Sequence, residues 1–236
     1  MLKIPKIIHQ IWSDKYRSLP VELSVLSNTW REKHSDWEYI CWNEEMMDVF
    51  VKNEYPDYYN IYRSLPFDMQ RWDSVRFLIL YKIGGVHIDF DYECLENIAP
   101  ILSDHSCCIA LEPQTHCIAY GVKHFLNSAF LASTPSHSFL DAVISKIFSV
   151  ETLSFNTQNK ARCIMYTTGP LMLSNLYENL SNIDQDDIYL LPAKYITPFD
   201  AIQIKQVRAG IVNQELENCL KDAYAVHYFT NLWVDL

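Results

Sequence analysis

Two acidic residues, Asp89 and Asp91, stand two positions apart in an alternating segment that follows the adjacent glycines Gly84 and Gly85. Alternate residues of a strand point to the same side, so the two carboxylates would share one face, about 6 to 7 Å apart. Carboxylates that close repel each other unless a cation lies beside them, and hard divalent cations such as Mn²⁺ and Mg²⁺ prefer oxygen ligands. The segment therefore predicts a metal site for a phosphate-bearing substrate, although the bare Asp-x-Asp triplet is also common in solvated turns.

The helix predicted before this segment carries a second charged pair, Asp73 and Arg76. Three positions apart, the two side chains lie on one helix face. They form either an intrahelical ion pair, which the spacing alone favours, or a binding pair in which Arg76 meets a nucleotide phosphate or ribose and Asp73 holds sugar hydroxyls. His87 points to the same side of the alternating segment as Asp89 and Asp91, whereas the apolar residues between them point to the core.

The elements that would position these residues alternate between strand and helix in the first half of the chain. Strands are predicted at residues 4–12, 38–42, 84–91, 107–111 and 188–191. Helices are predicted at residues 21–34, 43–50, 55–62, 67–83, 139–148 and 171–180. This alternation indicates an α/β domain with a mostly parallel sheet flanked by helices. In such sheets ligands bind at the carboxyl ends of the strands, which is where the Asp-x-Asp triplet lies.

Composition narrows the function classes. The chain has 236 residues, 49% of them hydrophobic, which is enough for one domain with a large core. A net charge of -10 excludes nucleic acid as an expected partner, because a phosphate backbone needs a clustered basic face. No apolar run reaches the length of a membrane span and the first residues lack the pattern of a secretory signal, so we expect a cytoplasmic protein. The seven cysteines show neither a disulfide framework nor zinc-ligand spacing and are expected to be reduced and mostly buried.

The combination of these motifs resembles glycosyltransferase family 32. The shared pattern is an opening run at residues 4–12 followed, in order and spacing, by Arg71, Asp73, Arg76, Leu80-Tyr81, Gly84-Gly85, Asp89 and Asp91. The family includes fungal initiating α-1,6-mannosyltransferases, α-1,4-galactosyltransferases and bacterial capsule enzymes, and the large clostridial glucosylating toxins share the pattern. The resemblance implies a GT-A fold with a Rossmann-like sheet, a nucleotide-sugar donor, Mn²⁺ or Mg²⁺, and retention of anomeric configuration. We expect a single domain over residues 1–236, with a nucleotide-sugar-binding half at 1–100 and an acceptor-side half at 101–236.

Matching positions imply roles for five residues. Trp12 would stack on the donor base, where the sequence alone would suggest a core or strand-end aromatic residue. Arg76 would contact the nucleotide or diphosphate, and Asp73 would hold the donor sugar. Asp89 would face the ribose and the sugar or metal, and Asp91 would bind the metal directly.

Later segments resemble the family more weakly. Asn127 would hydrogen-bond the donor sugar or the acceptor; on the residues alone it serves equally as a helix N-cap. Thr168 and Gly169 resemble the start of the family's Thr-Gly-Pro turn, which precedes a helix beside the active site, and they would contact the donor; otherwise they are a plain loop-to-helix start. His227 would lie beside the diphosphate as a further metal-site residue, or be a satisfied core or surface histidine. Trp233 aligns with a tryptophan of the family's terminal segment and would contact the donor.

Two positions depart from the family pattern. His87 stands where relatives commonly have tyrosine, and its imidazole would donate to ribose or phosphate or bind the metal. Leu232 stands where serine is usual, which leaves open how the metal shell is completed and how the terminal segment closes over the donor. Asn231 would take the place of that serine after a small shift.

These expectations together define a retaining hexosyltransferase. The predicted donor is a UDP-sugar, with UDP-galactose as the first choice, and GDP-mannose is the alternative. The predicted acceptor is a glycan or a polyprenyl-diphosphate-linked saccharide of bacterial capsule or O-antigen synthesis. Such an acceptor would bring the protein to the inner face of the cytoplasmic membrane as a peripheral partner.

Two interpretations from other classes stay open. A glycosidase would use the two carboxylates as acid and base, but hydrolysis needs groups that flank the glycosidic bond rather than two groups on one strand face. A non-catalytic sugar- or nucleotide-binding protein would keep the fold, and the leucine at position 232 favours it. Nucleotide release from a nucleotide sugar separates these classes from a transferase.

Overall fold

The structure is a computed structural model that describes residues 1–155 and 159–232. The strands in this part of the chain are β1 (Ile7–Ile11), β2 (Glu38–Trp42), β3 (Gly85–Ile88), β4 (Tyr92–Cys94), β5 (Cys107–Leu111), β6 (Leu126–Ser133), β7 (Tyr189–Leu191) and β8 (Ala225–His227). The helices are α1 (Val21–Lys33), α2 (Glu44–Glu54), α3 (Pro56–Ser64), α4 (Asp68–Ile83), α5 (Ala99–Leu102), α6 (Gln114–Tyr120), α7 (Ser138–Ile147), α8 (Val150–Ser154), α9 (Lys160–Thr167), α10 (Pro170–Glu178), α11 (Asn182–Asp186), α12 (Ala193–Ile196), α13 (Ala201–Arg208) and α14 (Gln214–Leu220). Each strand and helix predicted from the sequence is present, with ends shifted by a few residues.

Within the described residues, six strands form one sheet in the order β2-β1-β3-β6-β5-β7. β6 runs antiparallel to its neighbours β3 and β5, and the other pairs are parallel. The predicted mostly parallel sheet is thereby confirmed. A smaller sheet pairs β4 with β8 and joins the residues just after the Asp-x-Asp triplet to the carboxyl-terminal part of the chain. Because β6 is antiparallel to β3 and β5, its first residues lie at the same end of the sheet as the last residues of β3 and β5.

Two apolar cores cover the two faces of this sheet. Consecutive residues of β5 alternate between them: Cys107 and Ile109 belong to the core around α4 and α7, and Cys108 and Ala110 to the core on the other face. All seven cysteines are free, and five of them are buried, as the sequence predicts. No helix of the described residues is long and apolar enough to cross a membrane.

Helix α4 lies at the centre of the molecule. Its apolar spacing predicts one buried stripe, whereas every residue from Gln70 to Leu80 is buried. The helix is enclosed on all sides because the sheet lies on one side of it and α7 packs on another. It ends at Gly84, which adopts a φ of 73° and donates its N–H to the Leu80 carbonyl. Asp73 and Arg76, two of its charged residues, are therefore removed from water.

The strand after the glycine pair is shorter than predicted. β3 ends at Ile88, and Asp89 and Asp91 lie in the connection to β4. The alternating pattern also predicts one polar face, but His87 and Ile88, on opposite faces, are both fully buried. The reason is that β3 is a central strand with a core on each side, so alternation does not produce a solvent-facing surface. The two carboxylates share the end of the strand rather than a strand face.

Close backbone contacts explain the glycine pair. Gly85 adopts a φ of 101°. A Cβ atom at this position would lie 2.6 Å from the Ile7 carbonyl oxygen and 3.0 Å from Nε2 of His9, both in β1. Residues with a side chain avoid this backbone region and this separation, so β3 pairs with β1 in this register only with glycine at position 85.

Substitution of Gly85 by alanine should therefore destabilise the fold. Backbone strain and the overlap with β1 together should lower the free energy of unfolding by about 3 kcal/mol, measured by urea denaturation with tryptophan fluorescence. Gly210→Ala is the matched control, because Gly210 also has a positive φ, 72°, but a Cβ there meets nothing within 4 Å. The control should lose only the conformational cost, about 1 kcal/mol. Equal losses in the two variants would show that contact with β1 is not the constraint.

Candidate active site

A cleft of about 340 Å³ lies at the carboxyl ends of three parallel strands. Trp12 follows β1, Asp89 follows β3 and Glu112 follows β5, and all three residues line the cleft. Asn127, near the start of β6, lines it from the same sheet edge. The expected position at the strand ends is thereby confirmed. The predicted site residues that line the cleft are Trp12, Asp73, Arg76, Asp89, Asp91, Asn127 and His227.

Asp73 and Arg76 form a buried ion pair. Arg76 Nη2 lies 2.8 Å from Asp73 Oδ1, and both side chains are 3% exposed. Arg76 Nη1 donates to the Ser128 carbonyl at 2.7 Å and lies 3.5 Å from Asp89 Oδ1. Burial raises the pKa of Asp73 to about 7, although Arg76 and a hydrogen bond from Thr168 act in the opposite direction. The ion-pair interpretation is confirmed, and because both residues also line the cleft, the pair presents its charges to a ligand.

Thr168 and Gly169 lie behind the wall of the cleft rather than on it. Thr168 is fully buried, and its hydroxyl donates to Asp73 Oδ2 at 2.9 Å. Gly169 is the N-cap of α10, and its N–H donates to the Ile164 carbonyl at 2.9 Å. The Thr168 hydroxyl is thus used inside the protein, where it fixes the orientation of Asp73. The predicted donor contacts of Thr168 and Gly169 are corrected accordingly: the structure brings neither residue to the cleft.

His87 is likewise buried behind the cleft and does not line it. Burial, followed by the charge of Arg76, lowers the pKa of His87 to about 4, so the imidazole is neutral near pH 7. Nε2 of His87 lies 3.0 Å from Asp89 Oδ1, and a neutral imidazole can make this contact only by donating Nε2–H. The structure therefore gives His87 a role in holding Asp89, in place of the predicted direct contact with ribose, phosphate or metal.

Asp89 and Asp91 both reach the cleft but are held differently. The side chain of Asp89 is 33% exposed, and its Oδ1 faces Arg76 and His87. Asp91 is 12% exposed and lies 3.2 Å from Nε2 of His227. Burial alone would raise the pKa of each carboxyl group, but Arg76 and His87 hold the pKa of Asp89 below its ordinary value, and His227 and Thr230 do the same for Asp91. Both carboxylates are therefore anionic at neutral pH.

A hydrogen-bonded group around His227 supports Asp91. Nδ1 of His227 accepts from Asn127 Nδ2 at 3.3 Å, and its ring stacks on Tyr92 with centroids 4.2 Å apart. Asn127 Nδ2 also donates to the Tyr92 hydroxyl at 2.9 Å, and Asn127 Oδ1 accepts the N–H of Ala129 at 2.7 Å. Burial lowers the pKa of His227, but Asp91, together with Glu112 and Asp89, raises it, and the net shift is upward. Asn127 lies in β6, so the helix N-cap interpretation is wrong.

The two carboxylates and His227 do not form a closed metal cluster. Within residues 1–155 and 159–232, no group of three or more His, Cys, Asp or Glu side chains is arranged to hold a metal ion. His227 uses Nε2 to pair with Asp91 rather than to point at a shared ion. What the cleft offers is two anionic oxygen ligands, Asp89 and Asp91. This set suits a cation that takes its remaining ligands from phosphate and water.

Trp12 lines the cleft directly after β1. Its ring meets Phe90 edge to face with centroids 5.8 Å apart, and its Nε1 donates to the Arg17 carbonyl at 3.3 Å. Arg17 in turn donates from Nη2 to the Leu232 carbonyl at 3.1 Å, which links the loop after β1 to the terminal segment. Trp233 lies outside the described residues.

The terminal segment contributes a residue that the sequence analysis missed. The N–H and hydroxyl of Thr230 both donate to Asp91 Oδ2, at 2.8 and 2.9 Å. Thr230 thus supplies a hydroxyl next to the Asp-x-Asp triplet. It stands two positions before Leu232, the residue that departs from the family pattern. Asn231 does not take that place, because its side chain donates to the Phe229 carbonyl. The sequence signal that could have identified Thr230 is the presence of a hydroxyl residue between His227 and position 232.

Two further cleft residues were missed, Glu112 and His116. They form a pair, with His116 Nδ1 2.8 Å from Glu112 Oε2. Glu112 directly follows β5, just as Asp89 directly follows β3. The strand-end rule that identifies Asp89 therefore also identifies Glu112, once β5 is known to lie in the same sheet.

The fold and site together define the class of protein, a glycosyltransferase of the GT-A type. The fold is similar to that of a solved structure titled PaToxG Glycosyltransferase, with a TM-score of 0.52 and 12% identity, covering 94% of this chain and 89% of that one. At this identity the likeness concerns the fold alone. The predicted Rossmann-like, mostly parallel α/β fold is thereby confirmed.

Sequence comparison then identifies the family. Residues 20–108 match the model described as "Glycosyltransferase sugar-binding region containing DXD motif". Inositol phosphoceramide mannosyltransferase 1 of Schizosaccharomyces pombe is 31% identical over 196 residues, which are 82% of this chain and 57% of that protein. A mannosyl phosphorylinositol ceramide synthase of Saccharomyces cerevisiae is 32% identical over 81% of this chain and 48% of its own length. The chain is a glycosyltransferase family 32-like protein, as its motifs predict.

The same comparisons bear on the predicted biological setting. The chain spans about half the length of the curated relatives it matches. Both relatives are fungal proteins, and neither is named as a bacterial capsule enzyme. They therefore do not support the predicted role in bacterial capsule or O-antigen synthesis.

Asp91 should anchor the terminal segment, and its replacement tests this. In Asp91→Ala, the segment around Thr230 loses two hydrogen bonds to a charged acceptor, each worth about 1.5 to 3 kcal/mol. We expect at least about tenfold faster amide hydrogen exchange across residues 228–232, measured by mass spectrometry. Asp89→Ala is the control, because Asp89 makes no hydrogen bond to this segment among the described residues. Similar exchange in both variants would contradict the anchoring role.

Proposed function

We propose that this protein is a metal-dependent, retaining glycosyltransferase that moves a hexose from a nucleotide sugar to a hydroxyl group of a glycan or lipid-linked acceptor. One observation carries the proposal: the anionic pair Asp89 and Asp91 shares a single cleft with the buried Arg76 and with Trp12. These are the groups needed to bind a cation, a diphosphate and a nucleotide base at adjacent points. The match of residues 20–108 to a sugar-binding region supports the same conclusion.

The cation is proposed to be Mn²⁺ or Mg²⁺, held by Asp89 and Asp91. In the part of the chain that the structure describes, no third side chain completes a metal cluster with them. Two carboxylates fit an ion of this kind, because it retains water and takes phosphate oxygens as ligands. Bound there, the ion would supply positive charge to the diphosphate leaving group. His227 is proposed to act on the site by holding Asp91 in place.

The residues around the carboxylates would bind and orient the donor. Arg76 lines the cleft although its side chain is only 3% exposed, so its guanidinium charge lies close to any anionic ligand bound there. Arg76 thus stabilises the negative charge that develops on the departing diphosphate. Asp73, fixed by Arg76 and Thr168, can accept hydrogen bonds from hydroxyls of the transferred sugar. Trp12 offers an aromatic face to the base.

Retention of configuration is part of the proposal. The reacting sugar passes through an oxocarbenium-like state, which the nearby carboxylates favour. The acceptor hydroxyl would attack from the side that the diphosphate leaves, and the departing phosphate would take its proton. Nuclear magnetic resonance of the first-formed product identifies the anomer. Trapping of a sugar covalently bound to an enzyme carboxylate would contradict this route.

The donor sugar and acceptor are proposed from the names of the relatives. Both names specify mannose and an inositol-containing ceramide lipid. They support GDP-mannose as the donor and an acceptor with a polyol headgroup. UDP-galactose and a polyprenyl-diphosphate-linked saccharide are the second candidates, predicted from the sequence together with a cytoplasmic location at the inner face of the membrane.

Nucleotide release without an acceptor tests the proposed function. The wild-type protein with Mn²⁺ is incubated with GDP-mannose, UDP-galactose and UDP-glucose, and binding is followed in parallel by thermal shift. We expect slow hydrolysis of one donor, and a loss of about 100-fold or more in Asp89→Ala, in Asp91→Ala and after chelation. Asp36→Ala is the control, since Asp36 is an exposed carboxylate paired with Lys6 away from the cleft.

The outcomes separate the alternatives. Unchanged hydrolysis in both aspartate variants would contradict the metal site. Donor binding without release, with every acceptor, would indicate a non-catalytic binding protein. Cleavage of free glycans without any nucleotide sugar would indicate a glycosidase.

A further inference from the structure

A second wall of the cleft lies beside the residues that hold Asp91. It consists of Glu112 after β5, His116 on α6 and Phe229 in the terminal segment, all of which line the cleft. The ring of Phe229 contacts His227 on one side, at 4.0 Å between centroids, and His116 on the other, at 5.4 Å. One aromatic residue thus connects the residues that hold Asp91 to the residues that hold Glu112. The proposed donor-side roles do not involve Glu112 or His116.

The side chain of Glu112 is held by His116. Nε2 of His116 accepts the backbone N–H of Ala201, the first residue of α13, at 3.1 Å. An imidazole that accepts at Nε2 carries its proton on Nδ1, so His116 donates Nδ1–H to Glu112 Oε2 at 2.8 Å. The start of α13 therefore sets the orientation of His116, and His116 in turn fixes one oxygen of the carboxylate.

The backbone of Glu112 is fixed as well. Its N–H donates to the carbonyl oxygen of Phe125 at 2.9 Å. This bond continues the pairing of β5 with β6 beyond Leu111, which lies opposite Leu126. It places the carboxylate next to the start of β6, where Asn127 also lines the cleft. Glu112 thus has a defined position relative to the residues that support Asp91.

The second oxygen of Glu112 is available to a ligand. The Glu112 side chain is 7% exposed, yet its Oε1 has no hydrogen-bond partner in residues 1–155 and 159–232. Oε1 is not among the fully buried unpartnered atoms of the described residues, so it is accessible from the cleft, where a ligand hydroxyl can donate to it. Tyr120, Phe125 and Phe229 line the cleft around it and offer apolar faces. A carboxylate acceptor among aromatic rings suits a neutral polyol and disfavours a phosphate group.

We propose that Glu112 binds a hydroxyl group of the acceptor, a sugar or inositol ring, and thereby determines acceptor specificity, with His116 as its positioning residue. The proposal rests on the proposed transferase function. The donor-side residues lie after β1, on α4 and in the connection after β3, whereas Glu112 and His116 lie after β5 and on α6. The two sets face the same cleft, as a donor and an acceptor must in a transfer reaction.

The test separates acceptor binding from donor chemistry. Nucleotide release is measured without acceptor and then with methyl α-mannoside, methyl β-galactoside or myo-inositol as the probe. We expect at least one probe to accelerate release by the wild-type protein. In Glu112→Gln, the KM of that probe should rise about 10- to 100-fold, the size expected when a hydrogen bond to a charged group is lost. Release without a probe should stay within about twofold of the wild type.

Matched variants and probes sharpen this comparison. Glu178→Gln makes the same chemical change at an exposed carboxylate on α10 that accepts two backbone N–H groups. It should leave the KM of the probe and the rate of nucleotide release without a probe unchanged. His116→Leu should raise the probe KM, whereas His116→Gln, which retains an N–H donor, should raise it less. A monodeoxy form of the probe that lacks the bound hydroxyl should be disfavoured by the wild type but not by Glu112→Gln.

Several results would overturn the proposal. An unchanged probe KM in Glu112→Gln, or an equal loss of release with and without the probe, would remove the acceptor role. Donor hydrolysis that no polyol probe accelerates would exclude this class of acceptor. Absence of any donor hydrolysis in the wild type would instead contradict the proposed function itself. Thermal melting of each variant, compared with that of the wild type, identifies a loss that comes from misfolding.

Discussion

The buried guanidinium of Arg76 is the constraint on which the arrangement of the site depends. A cation in the interior is strongly destabilising unless anions and hydrogen-bond acceptors surround it. Arg76 obtains Asp73 from its own helix, Asp89 from the end of β3 and the Ser128 carbonyl from β6. One charge thus fixes the relative positions of the central helix, the strand end and the antiparallel strand. Thr168 extends the same network to the start of α10.

The opposite end of the Asp-x-Asp triplet follows the same logic, with hydrogen-bond donors in place of a guanidinium. Asp91 is compensated by His227 and by the two donors of Thr230, so it too is satisfied inside the protein. Each carboxylate has a hydrogen-bond partner, but Arg76 is shared by Asp73 and Asp89, so the cleft keeps a net negative charge. A divalent cation together with a diphosphate carries little net charge and is the kind of ligand that such a cleft can accept.

Much of the fold and part of the site are predictable from the sequence. Trp12 and Asp89 are identified because each directly follows a strand, and the strands themselves follow from local patterns. The side to which His87 points is predicted, but its burial is not, since alternation cannot reveal that both faces of a central strand are covered. Asn127 is mistaken for a possible cap because an antiparallel strand inserted in a parallel sheet has no local signature. Glu112 is missed although the rule that identifies Asp89 applies to it.

The segment that defines the family, residues 20–108, has a consequence of its own. It contains Asp73 and Asp91, but their partners Thr168 and Thr230 lie 95 and 139 positions further along the chain. Cut out by itself, this stretch would keep its recognisable signature and the Asp73–Arg76 pair, but it would lose the hydrogen-bond donors that hold Asp73 and Asp91. The segment that carries the family signature is therefore not an autonomous folding unit. Its acidic residues reach their native environment only when the rest of the chain has packed against them. Contacts between residues so distant in sequence form late in folding.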